Sequence, residues 1–294
     1  MAVNVQFWTK DIVEQLFADN AFMSRSFDAG SDIVNGSIVH IPQAGSTDAT
    51  LINNNAFPVT AVERSDNDII YALDRFYRTP KRISDINKKE LSYDYRASII
   101  RTELQTLKQD VGTWLIYRWF NNVPNALTHR IMTTGAVGGG GLKRLTGDDI
   151  MQAQALQNKQ NVPKDGRILL LDTDHEMQLR SDKDLAYAFQ QVVDLKNGAI
   201  ARLHGFDIYS RSQVATISAA GAVKVPNAAA AATDKAVSCF WHEMYVERAM
   251  GSIEIFDNPN RAEHYGDIVS FLIRNGGRHR REDLAGFGLI VPST

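Results

Sequence analysis

Three features of the 294-residue sequence predict a mixed α+β fold. Between Leu91 and Phe120, the residues Ile100, Leu104, Leu107, Val111 and Leu115 recur at spacings of three and four, the period of an amphipathic helix. Stretches rich in β-formers, from Ile33 to Pro42, from Asn67 to Arg78 and again beyond Gly251, read as strands. From Thr146 to Trp241 helical and strand patterns alternate, as expected where helices cover a sheet.

In chain order, residues 11–23 place Ile12, Leu16, Phe17 and Phe22 at helical spacing, and Phe7, Trp8, Phe17, Phe22 and Phe27 crowd the first thirty positions. So aromatic a segment must be covered by the chain's own core or by a neighbouring subunit. The 33–42 and 67–78 strands flank turn-forming residues (Gln43 to Asp48, Asn53 to Asn55, Pro58) and assemble most simply as a long β-hairpin with an irregular tip, apolar on both faces of its second strand. A lone hairpin is marginal in water, so this one is expected to lie against another chain.

The helix of residues 91–120 would be roughly 45 Å long at 1.5 Å per residue, a spine for other elements. Ser92 or Asp94 would cap its start, Pro124 closes it, and Trp114 and Trp119 read as core anchors. The run from Gly135 to Gly141 reads as a flexible break. Beyond it come a helix from Asp148 to about Asn161 opened by Thr146, a buried strand at Arg167–Asp172, a helix from Thr173, and strands at Gly205–Ser210 and Ala236–Trp241. An alanine-rich loop at Ala228–Ala232 separates the last two. The tail supplies Gly251–Phe256, Asp267–Ile273 and Gly288–Val291, with a basic run after Ile273.

Composition excludes several classes. Hydrophobic residues at 44% and charged residues at 22% suit a packed domain, not disorder, and a formal charge of −2 argues against an obvious polyanion binder. No apolar run is long enough to span a membrane, and the N-terminus does not read as a signal peptide. Cys239 is the only cysteine, so no intrachain disulfide can form, and a reducing cytoplasmic site of synthesis is expected.

Motifs for catalysis fail at named positions. His242-Glu243 and His175-Glu176 each open like a zinc-protease helix, but Val246 and Leu179 stand where the second imidazole is needed. The glycine run is not a phosphate loop, because Leu142 precedes Lys143 and no Gly-Lys-Ser/Thr follows. Cys239, in an apolar strand, reads as inert core. Asp172 and Asp174 follow a buried strand, where enzymes often place metal-binding carboxylates; capping of the next helix by Thr173 or Asp174 is the favoured alternative. Arg274, Arg278, Arg280 and Arg281 could contact nucleic acid, form a solvated hairpin turn, or pair with acidic neighbours across subunits; the last two readings are preferred. No catalytic, cofactor or metal residue is assigned, and no enzymatic activity is expected.

The order of these elements resembles the tailed-phage major capsid protein of the HK97 fold. Gly36-Ser37-Ile38-Val39-His40-Ile41-Pro42 is similar to that family's approach to its extended loop, and Leu91 to Ser98 to the approach to its spine helix. Gly198 to Tyr209 is similar to a strand that follows a glycine, and Arg278 to Val291 to the closing segment. The resemblance implies an N-arm at 1–30, an extended loop at 31–84, a peripheral domain with the spine helix at 85–130, an axial domain at 131–250, and return strands of the peripheral domain at 251–294. It implies a virion shell built from hexamers and pentamers of this chain, made in the host bacterial cytoplasm. Its partners would be portal, packaged DNA on the inner face bound without sequence specificity, and a separate scaffold protein or none. No Lys lies between Ser31 and Pro80, so a shell without covalent crosslinks is expected. An encapsulin-type compartment is the alternative of similar fold, and a metal-dependent enzyme using Asp172 and Asp174 the alternative from another class.

Overall fold

A computed structural model describes residues 20–30, 38–45, 49–55, 57–85, 95–182, 199–212 and 214–294. The spine is helix α1 (Tyr95–Phe120), 26 residues and about 39 Å at the helical rise. Its periodic side chains do what the spacing demands: Ile100, Leu104, Leu107, Val111, Leu115 and Trp119 are all buried along one line. The expected start at 91–94, with the caps Ser92 and Asp94, lies outside the described residues, as do residues 1–19 of the arm. Ala21–Ser24 form a short 3-10 turn whose Phe22 meets Trp119 and Trp241 edge-on at 6.1 and 6.3 Å.

Two sheets enclose the spine. In the first, β1 (Phe27–Asp28), β12 (Val246–Arg261), β13 (Gly266–His279) and β4 (Asp74–Tyr77) lie in that order, and β5 (Lys81–Ser84) also pairs with β13. Val269, Phe271 and Ile273 of β13 face α1, and alternate residues face away. The tail segments read as separate short strands are parts of two long ones, because the antiparallel ladder carries the chain through Asn275-Gly276-Gly277 without a turn. Gly277 is required there: a Cβ would lie 2.5 Å from Leu115 Cδ1 and 2.7 Å from the Glu247 carbonyl, so a side chain would push the spine off the sheet.

The second sheet runs β6 (Arg130–Met132), β14 (Phe287–Val291), β11 (Lys235–His242), β7 (Arg167–Asp172), β9 (Phe206–Arg211), β8 (Ala201–Leu203), with β10 (Ala215–Ile217) beside β11. β14, grouped by sequence with the return strands, hydrogen-bonds between β6 and β11 in this sheet. β7 is buried on both faces: Ile168 and Leu170 join the spine's core, while Leu169 and Leu171 join a second core under α2 (Gly147–Lys159) and α3 (Thr173–Ser181). That double burial is why an unbroken apolar run codes for this strand. Helix α2 opens with a capping box between Thr146 and Asp149.

The glycine run is not a flexible break. Gly135 N donates to Arg144 O at 3.0 Å and Gly138 N to Leu142 O at 2.8 Å, closing a tight loop in which Gly140 takes φ +78°. No helix among the described residues is long and apolar enough to cross a membrane.

Candidate functional site

The chain's most distinctive surface is built on a hairpin. β2 (Ile38–Gln43) and β3 (Asn67–Ala72) pair antiparallel, with Val39 opposite Tyr71 and Ile41 opposite Ile69. These four join Ala29, Leu73 and Ala249 in a small core on the face of the first sheet that points away from α1. The inward pattern alternates, so β3 is buried on one face only, and Ile70 is exposed on the other. The single strand expected at 67–78 is in fact two: the chain breaks at Leu73, leaves the hairpin, and continues as β4 against β13. Residues 33–37 of the first strand lie outside the described residues.

Five polar residues lock the hairpin base. Glu247 is buried and accepts from Tyr71 Oη at 2.9 Å, with Arg280 Nε 3.1 Å from its other oxygen. Burial, then the Glu247 charge, hold the Tyr71 phenol well above its ordinary range. The Arg280 guanidinium sits 3.8 Å from the Phe27 ring centroid and donates to the Met244 carbonyl at 3.2 Å. Gln43 Nε2 donates to the Arg280 carbonyl, and Arg278 Nη1 to the Ile70 carbonyl at 2.7 Å. On the spine side, Asp74 accepts from Trp114 Nε1 at 2.6 Å and from Arg118 Nε and Nη2 at 2.7 and 3.0 Å.

The basic run is therefore not a hairpin turn. Arg274 and Arg278 lie within β13, Arg278 and Arg280 clamp the hairpin, and Arg281 pairs with Asp283 at 2.5 Å, which holds that carboxyl below its ordinary range. Arg274 lies 3.7 Å from Glu254. The acidic groups seen beside them, Glu247, Glu254 and Asp283, belong to the same chain.

Beyond its locked base the described part of the hairpin, residues 49–55 and 57–62, is largely exposed. Ile52 is 82% and Phe57 78% exposed, and Leu51, Val59 and Val62 are exposed beside them. Residues 49–62 contain no Asp, Glu, Lys, Arg or His. This uncharged stretch was a readable signal in the sequence, although only its turn residues were singled out there. An apolar protrusion that its own fold leaves in solvent is the signature of a contact with another molecule.

Of the acidic pair, Asp172 is spent on structure. Asp172 caps α3 by accepting from Asp174 N at 3.3 Å, so the capping residue is Asp172, one position before those expected. Its own N–H donates to Ser238 Oγ at 3.0 Å, and Ser238 Oγ lies 2.7 Å from Nδ1 of the buried His175. Burial raises the Asp172 pKa and lowers that of His175 to about 4. Asp174 is exposed at the rim, and the described residues contain no group of three His, Cys, Asp or Glu positioned to hold a metal ion. His242 is likewise structural, with Nε2 2.7 Å from the Asp165 carbonyl and Nδ1 accepting from Met244 N. Cys239 is buried, which pushes its thiol up, away from reactivity.

Structural neighbours agree with this architecture. A chain of Mycobacterium phage Che8 is 16% identical with a TM-score of 0.63, over 92% of this chain and 90% of that one. The capsid of Ralstonia phage GP4 is 11% identical with a TM-score of 0.64, over 88% and 84%. The capsid of Cyanophage P-SCSP1u is 14% identical with a TM-score of 0.63, over 91% and 86%. The chain has the phage capsid fold. No family model and no curated protein matches the sequence. The likeness in fold comes with little sequence in common.

Proposed function

We propose that this chain is the major structural subunit of a phage-type virion shell, many copies of which close around the genome as hexamers and pentamers. The observation that carries the reading is the hairpin: an uncharged, solvent-exposed apolar tip on a base that the subunit fixes with buried ionic contacts. A lone subunit gains nothing from exposing Ile52 and Phe57, whereas a subunit inside a lattice buries them against a neighbour. The capsid fold of the neighbours supports the same conclusion.

In this reading residues 1–30 serve as the arm, 31–84 as the extended loop, 85–130 and 251–294 as the peripheral part, and 131–250 as the axial part. Repeated heterologous contacts around symmetry axes close a shell, and several weak contacts per subunit suffice once each copy is tethered by the others. Its partners in this reading are portal, DNA on the inner face, and a separate scaffold protein or none. The role is structural rather than catalytic, since Asp172 is committed to capping α3.

Electron microscopy of the purified protein tests this. Uniform shells or capsomer-sized rings are expected, and a monodisperse small oligomer refutes it. Changing Asp172 and Asp174 together to Asn should leave assembly intact, because Asn also caps helices.

A further inference from the structure

A cavity lies beyond the ends of two parallel strands. β7 and β9 run side by side and finish at Asp172 and Arg211. Ligands of open sheets commonly sit outside such carboxyl ends. Here a cavity of about 400 Å³ opens between Asp172, Ser212 just past β9, Thr113 and Tyr117 of α1, and β10 with the loop that follows it. That volume falls within the range of small-molecule sites, about 300–1,000 Å³. Val214, Val223, Val225 and Pro226 make much of its wall aliphatic.

The rim of this cavity is already fixed. Lys224 Nζ pairs with Asp234 and donates to the Ala229 carbonyl at 2.6 Å, and Asp234 also accepts from Ala231 N at 2.8 Å. Lys224 N donates to the Thr216 carbonyl at 2.8 Å. These bonds clasp the alanine-rich loop to β10, so a ligand that enters does not have to order it, and the entropic cost of binding stays low.

Charge decides what fits. The Lys224–Asp234 pair is neutral overall, which leaves the Asp172 carboxylate as the uncompensated charge of the wall among the described residues. Asp172 is only 8% exposed, and the charge that acts on it, from Asp174, has the same sign. Cations near by are committed elsewhere: Lys235 Nζ donates to the Pro292 carbonyl at 3.0 Å, and Arg211 Nη2 to the Gln109 carbonyl at 3.0 Å. Capping α3 engages the carboxylate through backbone N–H groups and leaves room on it, since a carboxylate has about four acceptor sites. A buried carboxylate without a cation is costly, so a cation that reaches it gains more than it would at the surface. Tyr117, Ser212 and Thr216 add hydroxyl acceptors to the same wall.

We infer that this cavity binds a small organic monocation, an amine whose ammonium meets Asp172 and whose hydrocarbon body lies against Val214, Val225 and Pro226. One uncompensated carboxylate calls for one ammonium, which argues against a polyamine, and the aliphatic wall argues against a bare metal ion. Asp172 then has two duties, the cap of α3 and the anchor of the ligand.

Ligand-observed NMR titration of the full chain with phenethylamine tests it, with phenethyl alcohol as the neutral isostere. The amine should bind about tenfold more tightly than the alcohol. Asp172→Asn, which still caps α3 but carries no charge, should weaken the amine about tenfold and leave the alcohol within about threefold, so that the alcohol reports an intact cavity. Asp174→Asn should move neither by more than about threefold, because Asp174 does not line the cavity. Ala230→Trp, in the exposed loop at the rim, should abolish both by filling the space. Equal binding of amine and alcohol, amine binding untouched by Asp172→Asn, or amine binding that persists in Ala230→Trp overturns the site. Binding by dispersed chains that is lost in assembled particles overturns the small-ligand reading in favour of a basic side chain from a neighbouring copy. The proposed shell is tested separately, under the microscope, and stands or falls apart from this site.

Discussion

Replacing Asp74 by Ala should loosen β4 from the spine. Its carboxylate accepts three hydrogen bonds, from Trp114 Nε1 at 2.6 Å and Arg118 Nε and Nη2 at 2.7 and 3.0 Å. Bonds to a charged group contribute about 1.5–3 kcal/mol each in favourable sites. Here both Asp74 and Arg118 side chains retain about a third of their exposure, at 29% and 30%, so water compensates for part of the loss. The expected destabilisation is about 2–3 kcal/mol for Asp74→Ala. It should be about 1–2 kcal/mol for Asp74→Asn, which keeps an acceptor for the indole but not the charge. Urea unfolding of dispersed subunits, followed by tryptophan fluorescence, reads both, because Trp114 reports the contact directly. A cycle with Arg118→Ala should show the two changes non-additive by about 1 kcal/mol or more. A loss below about 0.5 kcal/mol for Asp74→Ala, or full additivity with Arg118→Ala, would refute the assignment of this carboxylate as the bracket between strand and spine.

Other consequences are as concrete. Gly277→Ala places a methyl against Leu115 and the Glu247 carbonyl and should cost about 2–3 kcal/mol in thermal unfolding. Gly140→Ala meets open space and should cost only the about 1–2 kcal/mol of a left-handed residue. Changing Leu51, Ile52 and Phe57 together to Ser should leave subunit stability within about 0.5 kcal/mol, as these side chains are exposed, while abolishing shells under the microscope. His175 and His279 have pKa values of about 4, lowered chiefly by burial. The unfolded chain protonates them near 6.5 and so binds more protons between about 6.5 and 4. Stability should be complete above that window, fall as pH drops through it by at most about 1.4 kcal/mol per unit per histidine, and level off below. His175→Gln should flatten the profile measured by pH-dependent urea titration.

What the sequence revealed, and where it misled, follows from how far each element's code is local. The spine was legible because one line of its surface is buried along its whole described length, leaving a period that no loop interrupts. β7 was legible to the residue because both faces are buried and polar residues bound the run. The break at Leu73 was not, since β-propensity runs on unchanged while the chain switches from hairpin to sheet, and only the distant partners β2 and β13 decide it. That β13 runs unbroken through Gly276-Gly277 was not legible for a similar reason: the spine that packs against Gly277 is more than 150 positions away in sequence. The glycine run at 135–141 looked mobile because composition does not record the cross-loop bonds to Leu142 and Arg144. At the candidate site, the arginines and the hairpin were both visible, but not that the arginines hold the hairpin.

That coupling bears on how a projecting loop can be useful. A free peptide carrying Leu51, Ile52 and Phe57 would lose much conformational entropy on docking, and its ordering would offset most of what the apolar contact contributes. Here the base is already ordered by the subunit's own folding, through Tyr71 and Arg280 on the buried Glu247 and through Arg278 on the Ile70 carbonyl. Docking of the tip on a neighbour, as proposed, would then have only the tip left to order. In the proposed shell the near-neutral charge of the chain would act in the same direction, because crowded copies would repel if each carried a large charge of one sign. The Arg280–Glu247 pair is thus used inside the subunit to aim the hairpin, whose exposed tip carries no charge where contact is proposed.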